Sequence, residues 1–389
     1  MPVSRRVLLQ SSVPAGISLL AAQAAWADPY IFEIPFEWGR ESPMLILQAS
    51  INGAAPAPFV FDTGFEATVV LNESFPGLQV TPQEGQDSKD GKPALKALKP
   101  FKMAIKGAPN DLEITMQDAY QGRIVALDEF YGKGKIAGVL GAGILHFLKL
   151  AIDFDTKKIR LGANCSREAM GWTNGPATTK LRLEKDGGSK IAPVVRLLPE
   201  SDGAYFGSIN TGSNLSVFSG DLLKKYTAKK SKISTTSTGA KPVFAEELYR
   251  VANYALTGEK QDVVVRQGAG NKNLIGLDYL SQSNFYIDYP NQEMLLLPRK
   301  SSGKIRGYRG FSVAKKDGKL VVDYVHPGYV SVQTLEVGDE VILPDSQATT
   351  RTLLQLSYML DGYEGEEREI KIARKGKTES FTYKIISLF

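Results

Sequence analysis

Two short segments of the chain carry residue types that can do chemistry: Phe61-Asp62-Thr63-Gly64 and Ile209-Asn210-Thr211-Gly212-Ser213. In the first, a carboxylate stands before a Thr-Gly turn, where an ionised Asp can take a proton from water as a general base. The same place in the second segment holds an amide. Its NH2 can donate to a carbonyl oxygen, but it carries no proton to give away at ordinary pH. Two carboxylates about 3 Å apart would share one proton, because both cannot ionise together. Here one carboxylate faces one amide.

The two segments are copies. Residues 59–71 (FVFDTGFEATVVL) lie over residues 207–219 (GSINTGSNLSVFS) without a gap. Further on, Val139-Leu140-Gly141-Ala142-Gly143-Ile144-Leu145 lies over Leu274-Ile275-Gly276-Leu277-Asp278-Tyr279-Leu280. The alignment continues through Ile152-Asp153-Phe154 over Ile287-Asp288-Tyr289. Two blocks repeated in the same order indicate an internal duplication. Short apolar runs broken by Gly, Pro, Asn and Asp, such as Met44-Leu45-Ile46-Leu47 and Val263-Val264-Val265, predict a mainly β chain. Residues 152–161 and 287–297 read as hairpins, residues 165–179 as a linker, and residues 298–307 (PRKSSGKIRG) as a second break.

These motifs resemble those of the retropepsin and pepsin-like aspartic peptidases. The resemblance covers about residues 30–300 and rests on the duplicated Asp/Asn-Thr-Gly turns and the apolar-apolar-Gly segments Val139-Leu140-Gly141 and Leu274-Ile275-Gly276. It implies two β-barrel lobes, residues 28–165 and 175–300, with Asp62 and Asn210 as the catalytic positions. It also implies that Thr63 and Thr211 bond across the loops, while Gly64 and Gly212 let them close. Two departures stand out: Asn210 itself, and Phe65, where a small residue is usual. Asp202 and Asp278 lie near the second turn, but neither precedes Thr-Gly, so neither is expected to be the partner carboxylate. Flaps are expected at residues 84–92 (EGQDSKDGK) and 234–242 (STTSTGAKP), although exposed loops would look the same.

After residue 305 the pattern changes. Arg309-Gly310-Phe311 opens a strand, residues 350–360 (TRTLLQLSYML) form the best helix, and alternating strands surround Lys375-Gly376-Lys377. This order resembles a PDZ domain over residues 305–389, an α+β unit. The resemblance implies peptide binding at Arg309, Gly310, Phe311 and Leu353, by addition of a strand to a sheet edge. Arg309 stands where a small or apolar residue is usual. A spacer of the same shape that binds nothing is the plainer alternative.

Ser4-Arg5-Arg6-Val7-Leu8-Leu9, an Ala-rich stretch and Ala25-Trp26-Ala27 read as an export signal over residues 1–27. The twin arginines suggest a twin-arginine route; an ordinary secretory signal is the alternative. Either predicts a periplasmic or secreted protein. Cys165 is the single cysteine, so no internal disulfide can form. The formal net charge of +5 is spread through the chain, which argues against a nucleic-acid footprint. His146 and His326 form no metal-ligand spacing, no cofactor motif is found, and a monomer is expected.

Two functions follow. One is an exported aspartic-type endopeptidase acting on proteins or peptides, weakened because loss of a general acid costs about 10²- to 10⁴-fold, with C-terminal tails recruited at the PDZ-like segment. The other is an inactive, protease-derived peptide- or protein-binding module. A dimer pairing two Asp62 residues is a third arrangement, made redundant by the internal repeat.

Overall fold

The structure is a computed structural model that describes residues 9–11, 30–39, 42–83, 95–145, 147–173, 175, 178–184, 192–197, 205–230, 248–256, 260–268, 270, 272–299, 304–326, 329, 332–343 and 350–387. The chain is mainly β, with four sheets and a few short helices among the described residues. Both expected flaps, most of the expected leader, Asp202 and His146 lie outside the described residues.

A nine-stranded sheet contains Ala57–Asp62, Val69–Asn72 and Gly138–Gly141. Gly138–Gly141 lies between the other two, parallel to Ala57–Asp62 and antiparallel to Val69–Asn72. Residues 63–68 must therefore arch over the end of the inserted strand. A seven-stranded sheet repeats the device: Leu274–Ile275 runs parallel to Phe206–Ile209 and antiparallel to Ser216–Ser219. The duplicated motifs fall in corresponding places. At one edge of the nine-stranded sheet, Leu9–Ser11 pairs with Leu112–Met116.

The halves are joined by a six-stranded sheet in which Lys149–Asp153 pairs with Ser283–Asp288, Leu150 opposite Ile287 and Ile152 opposite Phe285. Each of these strands turns back as a hairpin, with Lys158–Ala163 and with Glu293–Pro298. Their antiparallel pairing turns about Ala151, which lies opposite its counterpart Tyr286. One apolar core runs through both halves, from Phe32, Phe59 and Leu140 to Ile209, Ile275 and Leu296. The segment after the first hairpin is pinned as well as linking: Cys165, Met170 and Trp172 are buried against Tyr286 and Leu295.

The C-terminal unit has its own core. Phe311–Lys316, Lys319–Val325, Glu340–Ile342, Glu367–Arg374 and Lys377–Lys384 form a five-stranded sheet with Phe311–Lys316 at one edge. Phe311, Val322, Leu356, Leu360, Ile372 and Tyr383 pack beneath it. The helix Leu353–Leu360 begins with a capping box between Thr352 and Gln355, which satisfies amides that the first turn leaves unpaired. The closing hairpin turns at Lys375 and Gly376, both at positive φ (48° and 79°), the conformation that two-residue hairpin turns require.

Candidate active site

Asp62 ends a strand whose preceding residues, Phe59, Val60 and Phe61, are buried; the side chain therefore emerges where the apolar run stops. Asn210 directly follows Phe206–Ile209 in the same way. The two turns meet through a reciprocal lattice. The Thr63 N–H donates to Thr211 Oγ1 at 3.0 Å, and the Thr211 N–H donates to Thr63 Oγ1 at 3.2 Å. Each hydroxyl then donates across the interface, Thr63 to the Ile209 carbonyl at 2.7 Å and Thr211 to the Phe61 carbonyl at 2.8 Å. Both threonines are fully buried, so their polar groups have no water to fall back on.

The glycines are required by closeness rather than by an unusual φ. A Cβ on Gly64 would stand 2.3 Å from Asn210 Nδ2, and one on Gly212 would stand 2.1 Å from Asp62 Oδ2. Each loop thus lies directly against the other's functional side chain. Gly141 and Gly276, ending the apolar-apolar-Gly segments, serve the same need: a Cβ there would strike Ala67 O at 2.1 Å or the Leu215 backbone at 2.6 Å.

Asp62 Oδ1 accepts from the Gly64 N–H at 2.8 Å and from the Gly212 N–H at 3.2 Å. The Gly212 N–H also donates to Asn210 Oδ1 at 2.9 Å. Burial pushes the Asp62 carboxyl up to about 6, while the amides of Gly64, Gly212 and Phe65 pull it back. With no like charge opposite, desolvation alone explains the rise. Asp62 is therefore largely ionised at neutral pH and ready to accept a proton, and Asn210 presents an uncharged donor beside it.

Two residues around this centre were not singled out as functional by motif. Asp278, the counterpart of Gly143 in the first copy, lies behind the second loop and not beside Asp62. Its Oδ1 accepts from the Ser216 N–H at 3.0 Å and the Ser216 hydroxyl at 2.9 Å, and burial pushes it up to about 7. Tyr289, the counterpart of Phe154, has a buried hydroxyl with no hydrogen-bond partner among the described residues. Burial raises its phenol well above the ordinary range, and the Asp62 charge adds to this. The legible signal was the departure of each residue from its copy.

In the C-terminal unit, Arg309 is 4% exposed. Its guanidinium donates to the Phe311 carbonyl (2.8 Å), the Ser357 carbonyl (2.7 Å), Asp361 Oδ1 (2.6 Å) and Ser357 Oγ (2.8 Å). Arg309, which the resemblance counted among the peptide-binding residues, ties the sheet to the helix with its guanidinium. Gly310 sits at φ +85°, which favours glycine, and its carbonyl accepts from the His326 N–H at 2.8 Å. The Phe311 side chain is in the core, and Leu353 packs partly against it. Among the described residues, no further strand pairs with Phe311–Lys316 on its outer side.

Among the described residues no group of His, Cys, Asp and Glu is arranged to hold a metal ion. Among the described residues, no helix is long and apolar enough to cross a membrane. No protein-family model matches the chain, and no curated protein matches it.

Proposed function

We propose that the chain is an exported, two-lobed aspartic-type endopeptidase with a PDZ-like C-terminal domain, acting slowly because its dyad is one Asp and one Asn. The observation that carries this reading is the threonine lattice: it holds Asp62 and Asn210 against one shared Gly212 N–H. Such a lattice is needed where two loops must present side chains to a common substrate atom.

Ionised Asp62 takes a proton from water as the water oxygen bonds to the peptide carbonyl carbon. The carbonyl oxygen gains negative charge and accepts a hydrogen bond from the Asn210 amide. The proton held by Asp62 then passes to the leaving nitrogen as the C–N bond breaks. No second acid supplies a proton to the oxyanion, which is why slow turnover is expected. Peptide or protein tails would add as a strand beside Phe311–Lys316, the terminal strand of its sheet.

Asn210 also favours a second reading, in which the cleft and the PDZ-like unit hold peptides without cutting them. The two part in one experiment: the leaderless protein, Asp62→Ala and Asn210→Asp are incubated with a denatured protein from pH 4 to 8. Slow cleavage lost in Asp62→Ala supports the peptidase. Cleavage only in Asn210→Asp supports the binding protein on a peptidase scaffold. Equal cleavage by the native chain and Asp62→Ala overturns both roles given to Asp62.

A further inference from the structure

The C-terminal unit packs on both halves of the chain. On the first half, Thr352 Oγ1 donates to the Phe130 carbonyl, and the Phe130 and Tyr358 rings meet edge to face at 6.0 Å. On the second, Tyr308 is buried with Leu248 and Val264. Arg250 bridges the same boundary, bonding Asp262 at 2.8 Å and Glu364 at 3.5 Å. Between the second half and the C-terminal unit lies a cavity of about 210 Å³. Asp278 and Asn214 line one wall, and Arg306, Tyr358 and Tyr363 line the other.

The wall at Asp278 is the back of the Asn210 loop. Asp278 Oδ1 holds Ser216 by two hydrogen bonds, the Asp278 N–H donates to the Asn214 carbonyl at 2.9 Å, and the Leu277 N–H donates to the Ser213 carbonyl at 2.8 Å. Residues 213–216 follow Asn210-Thr211-Gly212 directly. On the opposite wall Arg306 bonds Asp361 at 3.1 Å and lies 4.8 Å over the Tyr358 ring. The first copy has no room for this buckle, since a Cβ on Gly143 would stand 2.6 Å from Thr68 Oγ1. The carboxylate buckle therefore occurs only in the half that carries Asn210 and borders the cavity.

We infer that Asp278 is a positioning residue through which Arg306 of the C-terminal unit, across the shared cavity, holds the Asn210 loop. Charge supports the geometry. Burial raises the Asp278 carboxyl, two hydrogen bonds from Ser216 and the Tyr279 amide lower it, and the Arg306 cation lowers it further. Lys304, Asp361, Tyr363 and Glu366 face the same space from the C-terminal unit, and Asp262, held by Arg250, faces it from the second half. Among these groups, Arg306 is a cation that bears on the Asp278 carboxyl. Ionised Asp278 binds Ser216 more strongly than the neutral acid does, because hydrogen bonds to a charged acceptor are roughly twice as strong. The C-terminal unit is thus a wall of the cavity behind the Asn210 loop. The functional consequence rests on the peptidase reading; the coupling does not.

The test is amide hydrogen exchange on the full chain from pH 5 to 8, corrected for the intrinsic rate, which needs no catalytic turnover. In the native protein, protection at Ser216 falls with pH until a midpoint near 7 and then levels, because opening the loop wets Asp278 and lets it ionise. Arg306→Met moves that midpoint up by roughly half a pH unit or more, as expected when a nearby cation is lost, while Arg306→Lys leaves it in place. Asp278→Asn lowers protection about tenfold, as for a charge-assisted bond exchanged for a neutral one, and removes the midpoint. An unchanged midpoint in Arg306→Met, with Val313 and Val322 still protected, overturns the inference. The reciprocal measurement needs no change at Arg306: its Nε–H resonance titrates near 7 in the native chain and not in Asp278→Asn. Absence of that titration also overturns it.

Discussion

Asp62 and Asn210 converge on one donor, the Gly212 N–H, 3.2 Å from Asp62 Oδ1 and 2.9 Å from Asn210 Oδ1. This orients the Asn210 amide. Its oxygen turns to the backbone, and its NH2 lies towards Gly64 and the first loop. The carboxylate and the amide are thus held against one backbone donor.

Restoring the second carboxylate should therefore restore chemistry. Asn210→Asp is expected to raise kcat by about 10²- to 10⁴-fold, the usual contribution of a general acid. The optimum should move to acid pH, because two facing carboxylates work with one proton between them. Steady-state cleavage of a peptide library reads both effects, and an unchanged rate would sink the role given to Asn210.

The native chain should behave in the opposite sense with pH. Asp62 must be ionised to act, so kcat/KM should rise through pH 6 and then level. Stability runs the other way. Asp62 and Asp278 hold their protons in the folded state up to about 6 and about 7, whereas the unfolded chain releases them near 3.8. Their contribution is full below about 4 and is lost as pH rises through 6 to 7, by at most about 1.4 kcal/mol for each tenfold difference in acidity between the folded and unfolded chain. Urea midpoints from pH 4 to 8 should fall in the native protein and fall less in Asp62→Asn and in Asp278→Asn.

The threonine lattice should be cooperative. Thr63→Val and Thr211→Val each leave buried donors and acceptors unpaired and should cost about 1–3 kcal/mol. The double variant should cost clearly less than the sum, since both remove one network. A chemical-denaturation cycle checks this, and strict additivity would count against the reciprocal bonding.

Gly64→Ala places a methyl where the Asn210 amide lies. The expected result is a folded protein with separated loops and at least a tenfold loss of affinity for a statine-type peptide, on the order of 1.4 kcal/mol. Calorimetric titration of that peptide, with circular dichroism as the folding control, measures it.

Arg309→Ala should destabilise the C-terminal unit rather than merely weaken a ligand. It leaves Asp361 with Arg306 alone, takes the donors away from Ser357 and removes a nearly buried cation from its ion pair, a change worth about 3–5 kcal/mol. Differential scanning calorimetry should show the loss, and Arg309→Lys should recover little of it, because Lys cannot reproduce the fork of donors.

Much of this architecture could be read from residue patterns. Period-two and short apolar runs gave the β-rich chain, the hairpins after Ile152 and Ile287, and the helix ending at Leu360. The aligned copies also matched Asp62 with Asn210 from sequence alone. Arg309 was not legible, since an arginine beside a glycine gives no sign that four contacts inside the fold take up its guanidinium. Asp278 was legible only as a residue that failed the Asp-Thr-Gly pattern, and its work lies behind the loop.

The sequence by itself determined which groups are present at the two turns: one carboxylate, one amide, two threonines and two glycines, in duplicate settings. Those are covalent facts, and local patterning carries them. Tertiary structure alone decided the ionisation of Asp62 and the role of Asp278. Both depend on desolvation and on partners supplied from segments distant in the chain, and such effects exist only once the sheets have closed around the carboxylates.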